Sequence, residues 1–327
     1  MPKKPSKTEE SGIALIAVLC MIITASILVA SAVTLSQYAA LETATFCSYG
    51  SSFYTAESAA NRARWMVMLD KQQFPDRVLG TQQATAPGRW MADSLPHHFK
   101  INGVPVEVSI EDAASGINIG GSSPSQDLRQ LMQKYFMDSY GRELFTAFCN
   151  QVDLYSDPNS LVRSGGGIQQ EYQQRGLFNM PRMGPMQFRE EMYFIPGAAK
   201  RYPPDAMGRL RSFNVIPQGN MRRITARPNL FSAPLSMIKE RCQLSGSEVG
   251  QLANALRLWR NRIPLKNSVE GMFMSKLLAQ FSDRESGFYS IVVKTSSPQS
   301  PGTTLNCTFC PDSTRPPLTE YYNYTFY

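Results

Sequence analysis

The chain has 327 residues, of which 43% are hydrophobic and 18% charged, enough length and apolar content for one large or two ordinary folded domains; this excludes a disordered chain. The net charge of +7 is spread along the sequence, with no Lys/Arg run interleaved with aromatics, so it reads as a basic surface with no nucleic-acid role. The only two histidines, His97 and His98, stand side by side near Pro96 and read as loop residues, which leaves histidine-dependent catalysis little to work with.

The N-terminus changes character at one residue. Before Gly12 lie Lys3, Lys4, Lys7, Glu9 and Glu10; after it no charge appears until Glu42. Residues 13–33 carry no proline and have the length, about 20 residues, needed to cross a bilayer as a helix. The lysines ahead of the span favour a cytoplasmic N-terminus and send the rest of the chain across. Three readings compete: a permanent anchor, a secretory signal cut after Ala30-Ser31-Ala32, and a leader cut on the cytoplasmic side between Gly12 and Ile13.

Beyond the span, Leu35, Ala39, Phe46, Phe53, Ala56, Ala60, Ala63 and Val67 recur at intervals of three, four or seven, which is one face of a helix. Only Gly50 interrupts the stretch to Gln73, and no proline does. One helix of about 60 residues, some 90 Å long, is predicted to end near Lys71. Such an element suits a filament subunit, its first half in membrane or fibre and its second half (34–72) docked on a globular domain.

Downstream, "HHFKINGVPVEVSIED" (97–112) reads as a hairpin, because Asn102-Gly103 signals a type I′ turn and Val104, Val106, Val108 and Ile110 alternate. Further strands are predicted only near the C-terminus, over 287–295, 303–310 and 319–327. Between the two groups the pattern turns helical. Capping boxes at Ser123-Pro124-Ser125-Gln126 and Ser245-Gly246-Ser247-Glu248 open helices through Leu128, Leu131 and Tyr135, and through Leu252, Leu256 and Trp259. The fold class expected is α+β, with a long N-terminal helix on an antiparallel sheet (95–112 and 284–327) and a mainly α-helical insertion (113–283).

These residues resemble a known family. "SGIALIAVL" is similar to a type III, prepilin-like leader occupying 1–12, and "YTAESAANRA" (54–63) resembles the helix of type II secretion minor pseudopilins. Within that group the K-type minor pseudopilin, the general secretion pathway protein K family, is the best match. Most pilins have glutamate at the fifth mature position; here it is Ala17, and K-type subunits likewise have no acid there. A physical reason is available, since a buried carboxylate is costly without a neighbouring subunit's amine, and a tip subunit has none ahead of it.

The resemblance implies a pilin-like α/β domain with an inserted helical domain, a single-pass inner-membrane protein with a periplasmic C-terminal part, and no enzymatic activity. It implies as partners the prepilin peptidase and other minor pseudopilins in a tip complex. They would pack on Ala17, Phe46, Phe53, Ala56, Ala60, Ala63 and Val67. It also carries over calcium binding, for which Asp153 and Asp157 are candidates and Glu171 a poorer third. This chain departs from an acid-rich loop there, offering Gln169 and Gln170, so no cofactor is firmly implied. A related reading is a minor pilin of a type IV pilus; a different one is a secreted soluble periplasmic protein cut after Ala32.

Of the six cysteines, Cys307 and Cys310 form a C-x-x-C at the end of a predicted strand. Zinc would want a second pair and a redox motif would open a helix, so a structural disulfide or buried thiols are the readings that remain. No phosphate loop, nucleophile elbow or His-Glu-x-x-His occurs.

Overall fold

The computed structural model describes residues 7–120, 128–129, 139–159, 167–178, 180–205, 208–215, 227–297, 300–311 and 322–326. A single helix, α1 (Lys7–Gln73), opens the chain. From Ala14 to Cys47 every side chain is exposed. This is a helix long and apolar enough to cross a membrane. Its polar side chains are turned inward electrically: the hydroxyls of Thr24, Ser26 and Ser31 each donate to a carbonyl one turn back.

From Ser52 onward α1 docks on a sheet. Strands β1 (Pro96–Ile101) and β2 (Val104–Asp112) form the hairpin, and Asn102 and Gly103 both take positive φ, 49° and 83°, as the type I′ turn requires. After the helical region come β5 (Tyr289–Ser297), β6 (Ser300–Phe309) and β7 (Tyr322–Phe326). The strand order is β1-β2-β5-β6-β7, every pair antiparallel, so β2 meets β5 across the whole intervening sequence. Period-two alternation sends Val106, Val108 and Ile110, Ile291 and Val293, and Leu305 and Cys307 to one face. There they meet Ala56, Ala59, Ala60, Ala63 and Val67 of α1. The alanines let the helix lie close to the sheet, and the buried face accounts for the periodicity seen in the sequence from Ala56 onward, whereas Leu35, Ala39 and Phe46 of the same repeat stay exposed.

The helical region is built from α2 (Ser139–Ser156), α3 (Gly167–Gln174), the short α4 (Ala198–Arg201), α5 (Leu235–Cys242), α6 (Gly246–Arg260) and α7 (Gly271–Gln280). A two-residue parallel pair, β3 (Ile117–Asn118) with β4 (Phe213–Asn214), ties its two halves together. Gly116 leads into that pair, where an added Cβ would lie 2.7 Å from the Phe213 carbonyl carbon. The capping box at the start of α6 forms as predicted: Glu248 N donates to Ser245 Oγ at 3.3 Å and Ser245 N to Glu248 Oε2 at 2.7 Å. The one at Ser123–Gln126 lies outside the described residues, as do Leu131 and Tyr135.

This region has its own apolar core around Trp259, Tyr155, Phe145, Phe213 and Leu252. The segment after α1 joins the two cores by alternation. Trp90 and Ala92 face the sheet cluster, while Met91 and Leu95 face the helical one.

Candidate functional site

The sequence assigned the packing of other subunits to α1, and the structure divides that assignment. Ala56, Ala60, Ala63 and Val67 are at most 1% exposed and already covered by the chain's own sheet, so they are corrected from intermolecular to intramolecular contacts. Phe46 stays 69% exposed, and Ala17 is exposed with its neighbours. Phe53 is half-buried, its ring edge-on to Tyr54 at 5.4 Å. Gly12 and Ile13 lie within the α1 backbone, with no break between residues 7–12 and the apolar run that follows.

Other aromatics of α1 remain open: Tyr49, Tyr54 and Trp65 are 40%, 67% and 59% exposed, the first on the stripe of Phe46 and Phe53 ahead of the sheet and the other two on the side turned away from the alanines. Spacings of three from Phe46 to Tyr49 and four from Tyr49 to Phe53 are the signal that could have found Tyr49. Below this stripe the junction of helix and sheet is polar and fixed. Ser52 Oγ lies 3.2 Å from Thr295 Oγ1 and also hydrogen-bonds Thr303 Oγ1. At the C-terminal end of α1, Asp70 pairs with Arg77 and with Arg89 (2.8 Å to Nε), all three buried. Arg77 also donates to the Trp90 carbonyl at 2.8 Å.

Among the described residues, the calcium candidates do not form a ligand set. Asp153 Oδ2 accepts from Arg129 Nη2 at 3.0 Å, and Asp157 Oδ1 accepts from Asn159 N at 2.8 Å, closing the turn after α2. Among the described residues no group of three His, Cys, Asp or Glu could hold a metal ion. Calcium asks for six to eight oxygens, several from carboxylates, and these two residues do not fit that demand.

Cys307 is fully buried under α1, whereas Cys310 follows the end of β6, and no disulfide joins them. Three residues of extended chain separate two Cα atoms by roughly 10 Å, beyond disulfide reach.

The two histidines are in β1, not in a loop. His97 stacks on Trp90, ring centroids 4.0 Å apart and 7° from parallel, with Nε2 buried and without a partner. Burial, reinforced by the charge of Arg262 and by His98, pushes its imidazole down to about 4.

No family model matches the chain, and no curated protein matches it. Among solved structures, it is similar to a chain in the crystal structure of the GspK-GspI-GspJ complex from the Type 2 Secretion System of enterotoxigenic Escherichia coli. The TM-score is 0.52 at 14% identity, and the match covers 87% of this chain and 99% of that one. At that identity the likeness is one of fold. A long helix on an antiparallel sheet, with a helical region between the strands, makes this a pilin-like α+β chain that shares its fold, over most of its length, with a component of a type 2 secretion complex.

Proposed function

We propose that the protein is a K-type minor pseudopilin of a type II secretion system, a non-enzymatic subunit that helps initiate and cap the periplasmic pseudopilus. The observation that carries this reading is the fold shared with a chain of the GspK-GspI-GspJ complex across 87% of the sequence. The bare apolar half of α1 supports it, since a single inner-membrane span explains side chains that nothing in the chain covers. In this reading residues 1–12 are a leader removed by prepilin peptidase, 13–33 span the membrane and 34–72 carry the helix onto the periplasmic sheet. The inserted region lies within 113–283. Partner minor pseudopilins meet the aromatics of α1 that the sheet leaves open, around Phe46, Tyr49, Phe53 and Tyr54, and not the alanines that it covers.

The test is made on the protein in its native bacterium. Mass spectrometry of membrane-extracted protein is expected to find Ile13 at the amino terminus, and loss of the protein is expected to leave exported proteins in the periplasm. A terminus at Val33 together with undiminished secretion overturns the reading. Gly12→Val is expected to block processing, because the peptidase needs a small residue there.

A further inference from the structure

Between Ile13 and Gln73 α1 holds one glycine, Gly50, and it stands where the surroundings of the helix change. Side chains are exposed from Ala14 to Cys47, and Ser52 is the first that is buried. Across this border the sequence reads Ser48-Tyr49-Gly50-Ser51-Ser52. Glycine in a helix interior is about fivefold less favourable than alanine, and serine and tyrosine also rank below alanine, leucine and glutamate.

Packing does not account for the glycine. A Cβ at Gly50 would meet nothing within 4 Å, so alanine would fit there. Where α1 does press on the sheet it uses alanine, at Ala56, Ala59, Ala60 and Ala63. The weak stretch also lies between firm ones. Ahead of it Ala39, Ala40, Leu41, Glu42 and Ala44 are strong helix formers. At its far end Ser52 is fastened to the sheet, with its Oγ 3.2 Å from Thr295 Oγ1 and hydrogen-bonded to Thr303 Oγ1.

We propose that residues 48–52 are a hinge in α1, at which the uncovered half of the helix bends relative to the half docked on the sheet. Sharp bends in long helices fall at identifiable weak points, Gly/Ser pairs among them, and Gly50-Ser51 is such a pair. The attachment of Ser52 fixes the place, because a sideways load on the uncovered half concentrates on the last turn that the sheet does not hold. Such a bend redirects the helix without lengthening it, since the turns on either side keep their hydrogen bonds. The globular part is thereby free to tilt over whatever holds the first half. The inference does not rest on the secretion reading.

The experiment uses the full chain in a non-ionic detergent, with Cys20, Cys47 and Cys310 changed to serine and the buried thiols kept. One nitroxide pair, at Leu41→Cys and Ser58→Cys, straddles the stretch; a control pair, at Thr24→Cys and Leu41→Cys, does not. Both pairs join exposed positions seventeen residues apart, about 25 Å along a straight helix. Pulsed electron–electron resonance is expected to give the 41–58 pair a distance distribution about twice as broad as the control, with a tail toward shorter distances. Gly50→Ala/Ser51→Ala is expected to narrow it to the control width and to slow amide exchange over 49–53 by about fivefold or more. The open space at Gly50 and the exposure of Ser51 let this variant fold. Equal widths for the two pairs with Gly50 and Ser51 in place, or a width or exchange rate that the alanines leave unchanged, overturns the hinge.

Discussion

Arg77 Nε lies 2.5 Å from Glu285 Oε2, although 208 residues separate the two in sequence, and the same guanidinium reaches Asp70 at the end of α1. Glu285 is held in turn by Ala92 N at 2.6 Å and by the Tyr289 hydroxyl at 2.8 Å. One buried cation thus fastens the long helix, the segment after it and the return of the chain into β5. Arg77→Met leaves two carboxylates buried with too little positive charge, and is expected to cost about 3–5 kcal/mol of unfolding free energy. Urea unfolding followed by tryptophan fluorescence measures this; a cost below about 1 kcal/mol would show that the site is wet and the network slack.

A chain beginning at Gly50 is expected to be soluble and to unfold cooperatively. The docked part of α1 starts at Ser52, so this truncation removes exposed apolar helix and none of the buried alanine face. Calorimetry and sedimentation test it. Aggregation in dilute buffer without detergent would show that the helix ahead of Gly50 is needed for the fold.

The hydroxyls of Ser52, Thr295 and Thr303 form one buried group between helix and sheet. Ser52→Ala alone removes one member and leaves the threonines under-satisfied, at a cost of about 1–3 kcal/mol. Changing Ser52 to Ala and Thr303 to Val together, with Thr295 kept because its Oγ1 accepts from Thr303 N at 3.1 Å, is expected to recover part of that loss. If the double variant is as unstable as the sum of its singles, the group is not acting as a unit.

Acidification should be felt through His97. Its folded-state pKa, about 4, lies below the ordinary value of 6.5, so on lowering the pH the unfolded chain takes the proton first. Stability contributed by the neutral ring is therefore complete above about pH 6.5, declines as pH falls toward 4, and is gone below that. The span is on the order of 1–3 kcal/mol. His97→Phe keeps a ring on Trp90 and removes the titration. Asp112, pushed up to about 6 by burial, has the opposite slope, its folded form holding a proton that the unfolded form gives up from 3.8 upward. That slope is common to both proteins, so the difference between their stability curves isolates His97. A difference that stays flat between pH 6.5 and 4 would refute the assignment.

Gly116→Ala is expected to destabilise by about 1–3 kcal/mol. The new Cβ meets backbone, 2.7 Å from Phe213 C and 2.9 Å from its N, and backbone in the β3–β4 pair has no rotamer with which to yield. Gly250→Ala, on α6 with nothing within 4 Å, serves as the control and should be neutral or stabilising.

What the sequence made legible was local. Asn102-Gly103 needs only its own backbone to announce a hairpin, and Ser245 with Glu248 announces a helix start. Alternation in β2, β5 and β6 gave the sheet face. What was hidden is non-local. Nothing near Asp70 or Arg77 foretells Glu285, and nothing near Ile117 foretells its parallel partner Phe213. The alanine face of α1 shows the limit of periodicity: the repeat says that Ala56, Ala60, Ala63 and Val67 are covered, but is silent on whether the cover is the same chain or another.

The continuity of α1 has a mechanical meaning. An α-helix lengthens or shortens only by breaking its own hydrogen-bond ladder, so along its axis it behaves as a strut. From Ala14 to Ser52 it spans roughly 55–60 Å at 1.5 Å per residue, and at the far end Asp70, Arg77 and Glu285 clamp it to the sheet. A pull on its first turns therefore arrives at β5 and β6 undiminished, with no loop along the way to take up slack. Whatever holds the start of that strut sets the height at which the rest of the molecule stands.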